Sequence, residues 1–175
     1  MVDRWLEVNI FLTDYAHAND VLRDTIARLV QSFRDEELIK AWHFFREPQI
    51  RLRFFCDEED ITEIRDTLDR ELANLEAGRP DFYVRHTFGS HGQEGIEYTG
   101  EAGFWLEDWP LVMKLWEDMS DFSLGLISKG FSKIAEIHGE RQVHLLLNEL
   151  GVNHIYVDTG TEKIIQLRRT KAPGE

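Results

Sequence analysis

Apolar and polar residues alternate over residues 3–12, where Trp5, Leu6, Val8, Ile10 and Leu12 predict a strand. Asn19 then reads as the N-cap of a helix over about 20–33. Its Val21, Leu22, Ile26, Leu29, Val30 and Phe33 keep the three-and-four spacing of one helical face. Residues 41–46 and 50–56 read as two strands joined by a turn at Glu47-Pro48. A second helix over about 60–77 places Ile61, Ile64, Leu68, Leu72 and Leu75 in one stripe, and Gly78 with Pro80 stops it. Residues 81–88 form a fourth strand candidate. The resulting order, β-α-β-β-α-β, predicts a ferredoxin-like antiparallel sheet with both helices on one face.

The second half changes character. Residues 89–103 are polar and hold Gly89, Gly92, Gly95, Gly100 and Gly103, a loop of the length that often carries function. A helix over about 107–128 contains Trp109, Trp116 and Phe122, and another over about 131–150 closes at Gly151. Residues 153–158 and 163–168 predict a terminal hairpin around Thr159-Gly160-Thr161, and residues 171–175 a frayed end. The expected class is α+β: the ferredoxin-like sheet, then two helices and a C-terminal hairpin, in a single domain over 1–175.

Composition narrows the function classes. The 33 acidic residues against 20 basic ones give a formal charge of −13, which argues against nucleic acid or an anionic membrane as a direct partner. The single cysteine, Cys56, excludes an internal disulfide and any multi-cysteine metal site. No signal peptide or apolar run of spanning length is visible, so the expected location is cytoplasmic. The seven histidines show no diagnostic metal-ligand spacing, and no phosphate loop, dinucleotide fingerprint or nucleophile elbow occurs. The expectation is no metal and no cofactor. Cys56 follows the apolar face of its strand and reads as core.

Two constellations remain. In the strand 50–56, Ile50, Leu52 and Phe54 alternate with Arg51 and Arg53, so both arginines share a face about 7 Å apart. Guanidiniums held that close need an anion between them. Either the acidic residues of a solvated sheet face supply it, or the pair is a pocket for a carboxylate or phosphate. In the last long helix His144 and Asn148 are four apart on one face. They read either as a partly buried polar stripe or as an acid–base group oriented by an amide.

Taken in order, these segments resemble the C-terminal, elimination-type domain of lanthipeptide dehydratases, which recurs in thiopeptide biosynthesis proteins. The likeness covers roughly residues 5–152. Phe44-Phe45-Arg46 matches an aromatic strand ending in Arg. Pro48-Gln49-Ile50-Arg51-Leu52-Arg53 matches a Pro-containing turn followed by His-x-Arg-x-Arg, with Gln49 in place of the His. Glu94 and Glu97-Tyr98-Thr99-Gly100 stand where the family has a Glu and then Arg-Tyr-Gly-Gly, so an Arg has become Glu97. His144-Leu145-Leu146-Leu147-Asn148-Glu149-Leu150-Gly151 matches His-x-x-x-Asn-Arg-Leu followed by Gly, with Glu149 in place of the Arg.

The resemblance implies a lyase-type activity in peptide natural-product biosynthesis. Family members remove glutamate from glutamylated Ser or Thr of a precursor peptide, or close a ring from two dehydroalanines. It implies Arg51 and Arg53 as carboxylate and oxyanion ligands and His144 as proton-transfer group. Arg46, Glu97 and Asn148 would line or support that site. Expected partners are a precursor peptide and a separate glutamylating dehydratase protein; a homodimer stays open. Glu97 changes the local charge by two units, so a silent relative that binds a peptide or partner enzyme is the alternative. A third reading is an unrelated ferredoxin-like domain with Arg51 and Arg53 paired to internal carboxylates.

Overall fold

The computed structural model describes residues 2–46, 49–81, 83–100, 106–131, 152–158 and 163–169. The chain divides into two compact units, Met1–Ser132 and Lys133–Glu175, each described by itself.

The first unit is built on four strands: β1 (Asp3–Leu12), β2 (Ala41–Arg46), β3 (Ile50–Asp57) and β4 (Tyr83–Phe88). They form one sheet in the order β2-β3-β1-β4, with every neighbouring pair antiparallel. The class is α+β. Between β1 and β2 the chain winds through a short 3-10 turn (Tyr15–His17), α1 (Ala18–Val21), a π-turn (Leu22–Ile26) and α2 (Ala27–Asp35). Helix α3 (Ile61–Gly78) links β3 to β4, and α4 (Trp109–Ser128) follows the glycine-rich loop.

Strand alternation sorts the side chains into two sets. Val8, Ile10, Ile50, Leu52, Phe54 and Cys56 are fully buried on one face. Phe33 of α2 meets Phe54 edge-on at 5.7 Å between ring centroids, and Asp69 of α3 bonds His86 of β4 at 2.5 Å. His86 stands opposite Ile10 across the ladder, so both helices cover this face. Helix α4 lies along β2 instead. Its Ser120 hydroxyl accepts the Phe44 backbone N–H (3.1 Å), and its Asp121 accepts the Trp42 indole N–H (3.0 Å). The Ser120 bond occupies a backbone N–H that the sheet edge would otherwise leave unpaired.

One expectation is corrected. Asn19 does not cap the first helix. Asp14 does the capping, accepting the Ala16 N–H at 2.8 Å, so the chain turns helical one turn earlier. Asn19 lies inside the helical run, and its Oδ1 is buried without a hydrogen-bond partner among the described residues. In the second unit, β5 (Val152–Asp158) and β6 (Lys163–Arg169) pair antiparallel, Val152 opposite Arg169 and Asp158 opposite Lys163. The turn at Glu47-Pro48, the helix expected over 131–150 beyond its first residue, the hairpin turn at Thr159-Gly160-Thr161 and the terminus 171–175 lie outside the described residues.

No described helix is long and apolar enough to cross a membrane. Among the described residues no group of three or more His, Cys, Asp or Glu is arranged to hold a metal ion.

Candidate functional site

Arg51 and Arg53 alternate with the apolar residues of β3 and therefore project from the face opposite the helices. In the antiparallel register Glu7 of β1 stands beside Arg53 and Asn9 beside Arg51. On the other side His43 of β2 stands beside Arg53 and Phe45 beside Arg51. The side chains join into one buried network. The Arg53 Nε–H donates to Glu7 Oε2 at 2.7 Å. Arg51 Nε lies 3.2 Å from Asn9 Oδ1 and 3.5 Å from Glu7 Oε1. Asn9 donates to Glu7 Oε1 at 3.1 Å, and Gln49 donates to Asn9 Oδ1 at 3.3 Å. The side chain of Arg53 is 2% exposed and that of Glu7 0%, whereas Arg51 keeps 17%. A buried pair of this kind contributes little net stability because desolvation offsets its attraction.

The loop after β4 closes over this network. The Gly89 carbonyl accepts from Asn9 at 2.9 Å, and the His91 backbone N–H donates to Glu7 Oε1 at 2.6 Å. His91 reaches that position with φ at +53°, the left-handed region that non-glycine residues rarely enter. Further on, Tyr98 places its ring 3.8 Å from the Arg53 guanidinium carbon. Phe45 lies at 5.1 Å from the same carbon, so the cation contacts two ring faces.

An aromatic wall adjoins the arginines. Trp5 contacts His43, Phe55, Tyr98 and Trp109, and Trp116 of α4 contacts His43 and Phe45. His43 is buried, and its Nε2 has no hydrogen-bond partner among the described residues. Burial first, and then the Arg53 charge, hold its imidazole well below the usual histidine range, so it is neutral at physiological pH.

The remaining site candidates are spread more widely. Arg46 sets its guanidinium 5.4 Å from the Tyr15 ring centroid. Glu97 is half exposed and takes its carboxylate to Arg4 at 3.5 Å, while its neighbour Tyr98 turns in against Arg53. His144 and Asn148 lie outside the described residues. Cys56 is buried on the helix face, where burial pushes its thiol up to about 11. Glu7, Asn9 and His43 were not among the residues singled out from sequence. The first two carry a readable signal: Glu7 and Asn9 interrupt Trp5-Leu6-Val8-Ile10 with period two, which puts them on the arginines' side of any sheet that pairs these strands.

The model of the lantibiotic biosynthesis dehydratase C-terminal family matches residues 5–157. The chain belongs to that family. The resemblance carried by the motifs around Arg46–Arg53, Glu94–Gly100 and His144–Gly151 is thereby borne out. Pairing of the arginines to an internal glutamate does not make the likeness a coincidence. A solved structure of similar fold is the tRNA dependent lantibiotic dehydratase MibB from Microbispora sp. 107891, at 20% identity and a TM-score of 0.57. The match covers 71% of this chain and 12% of that one, so the chain corresponds to a small part of MibB. Among curated proteins none matches the chain.

Proposed function

We propose that this dehydratase C-terminal family member serves lanthipeptide- or thiopeptide-type peptide biosynthesis, as a lyase-like protein that carries out elimination or cyclisation on a modified Ser/Thr-containing precursor peptide. The observation that carries the reading is the gathering of Arg51, Arg53, Glu7, Asn9 and Gln49 into one buried network under a glycine-rich loop, on the sheet face that α2 and α3 leave free. We read the β2-β3-β1-β4 order as the ferredoxin-like arrangement, which presents that face as a platform.

Elimination needs a base for the α-proton, a stabiliser for the enolate and a cation for the departing group. Arg51, the more accessible arginine, suits the cation role. Arg53, pinned by Glu7 and two rings, suits a fixed oxyanion donor. His144 keeps the proton-transfer role and Asn148 its orienting role on the strength of the motif match. Arg46 and Glu97 belong to the surround rather than the reacting centre in this reading. The partners are a precursor peptide and a separate glutamylating dehydratase protein in the cytoplasm.

The alternative is a silent relative that binds peptide or partner enzyme, favoured by the carboxylate of Glu7 sitting on Arg53. Mass spectrometry of a glutamylated Ser peptide and of a bis-dehydroalanine peptide, each incubated with the protein, separates the two. Loss of glutamate to a dehydroamino acid, or ring closure with expulsion of the leader peptide, is expected for one of them and is lost in His144→Asn. Binding of either peptide with no mass change establishes the silent reading.

A further inference from the structure

We infer that Glu7 is a resident carboxylate that occupies Arg53 in place of a substrate's, so that the arginine face selects against a carboxylate-bearing group at its inner end. This deepens the proposed function and rests on its assignment of Arg51 and Arg53 as the ligand site.

Three observations carry it. First, Glu7 is fully buried and both its oxygens are engaged: Oε2 by Arg53 (2.7 Å), Oε1 by the His91 N–H (2.6 Å) and Asn9 (3.1 Å), with Arg51 at 3.5 Å. That is the donor set a bound carboxylate would seek, namely charged guanidinium N–H, amide N–H and backbone N–H. Second, the loop is shaped to keep Glu7 there, since His91 holds a left-handed backbone conformation and aims its N–H at the carboxylate. Third, Arg53 is sealed by Tyr98 and Phe45 and is 2% exposed, whereas Arg51 at the outer end retains access. An incoming carboxylate that sought Arg53 would have to expel Glu7 and leave it buried beside a second negative charge, which like-charge repulsion opposes. The inner end therefore turns away a second carboxylate. A glutamyl group gains nothing from it.

The test uses the full chain and two probes: a peptide with glutamate amide-linked to a diaminopropionate side chain, a nonreactive analogue of glutamylated Ser, and its unglutamylated parent. Calorimetry is expected to show that any wild-type preference for the glutamylated probe is lost in Arg51→Met, since the inner end adds nothing to it. Glu7→Gln keeps the shape and removes the charge, and it is expected to bind the glutamylated probe about tenfold tighter than wild type, a modest share of what close charge pairs contribute at interfaces. Adding Arg53→Met to Glu7→Gln is expected to abolish that gain. In wild type the Arg53 Nε–H resonance should stay in place on titration with the glutamylated probe. That measurement decides alone should Glu7→Gln fail to fold.

A wild-type preference for the glutamylated probe that survives Arg51→Met, a moving Arg53 resonance, no gain in folded Glu7→Gln, or a gain that survives Arg53→Met would each overturn the inference while leaving the arginine face as a ligand site. Failure of both probes to bind wild type and every variant at millimolar concentration would instead remove the proposed site, and the inference with it.

Discussion

The two faces of one sheet follow opposite rules. On the helix side Val8, Ile10, Leu52 and Phe54 are fully buried against α2 and its neighbours, each adding roughly 1.5–3 kcal/mol by leaving water. On the other side the same strands bury Glu7, Asn9 and Arg53, with Gln49 just before β3. Burying ions and amides gains little net free energy, and apolar residues of equal volume commonly do as well or better. The first face explains why the chain folds. The second is costly to build with charges and is assembled from four separate segments, which points to a role other than stability.

The largest expected effect tests that contrast directly. Arg53→Met strips Glu7 of its closest charged partner and leaves a buried carboxylate, which should cost about 3–5 kcal/mol in urea unfolding. The double variant Glu7→Gln/Arg53→Met removes both charges and should recover most of that loss. If the double variant is as unstable as the single one, the polar face is a stability element after all and the two faces do the same job.

A smaller effect comes from His43, whose imidazole is held well below its ordinary value by burial and by Arg53. The folded form refuses a proton that the unfolded chain accepts near pH 6.5. Stability is therefore full above about pH 6.5 and falls as pH drops below it, by up to ~1.4 kcal/mol per pH unit until the folded group titrates. His43→Phe should flatten this slope between pH 7 and 5 in thermal melts while keeping contact with Trp5 and Trp116. An unchanged slope would mean that the pH dependence arises elsewhere.

The helix face was legible in the sequence because alternation in the strands and three-and-four spacing in the helices point to the same surface. Val8, Ile10, Leu52 and Phe54 all follow from it. The arginine side of β3 was legible for the same reason. What covers it was not, because pairing of β1 with β3 is a tertiary choice that single-strand patterns leave open. Glu7 therefore could not be matched to Arg53 from sequence, and Tyr98 could not be placed under a guanidinium 45 residues upstream. Asn19 misled because an Asn before an apolar run resembles a cap, while Asp14, five residues earlier, already satisfied the first free N–H. His43 gave no signal at all: its burial depends on Trp116, delivered by a helix from the second half of the unit.

The smallest effect sharpens how tightly the loop closes the polar face. Gly95 and Gly100 hold nearly the same left-handed conformation, φ +79° and +78°. A Cβ at Gly95 meets nothing within 4 Å, whereas one at Gly100 falls 2.8 Å from Trp5 Nε1 and 3.2 Å from its Cδ1. Alanine at either position incurs the same backbone cost, on the order of 1–2 kcal/mol. Only Gly100→Ala must also push the Trp5 indole, which is itself packed on His43, Tyr98 and Trp109. Overpacking of that kind adds about 1–3 kcal/mol. The difference between the two variants thus isolates the loop's approach to Trp5 from the strain they share. Gly100→Ala is expected to be the less stable by about 1 kcal/mol, at the lower end of that range because only one methyl group is inserted. Its tryptophan emission should also shift, which Gly95→Ala should not reproduce. Equal stabilities and equal spectra would show that the aromatic wall tolerates a looser cover, and the sealing of Arg53 would then depend on Tyr98 and Phe45 alone.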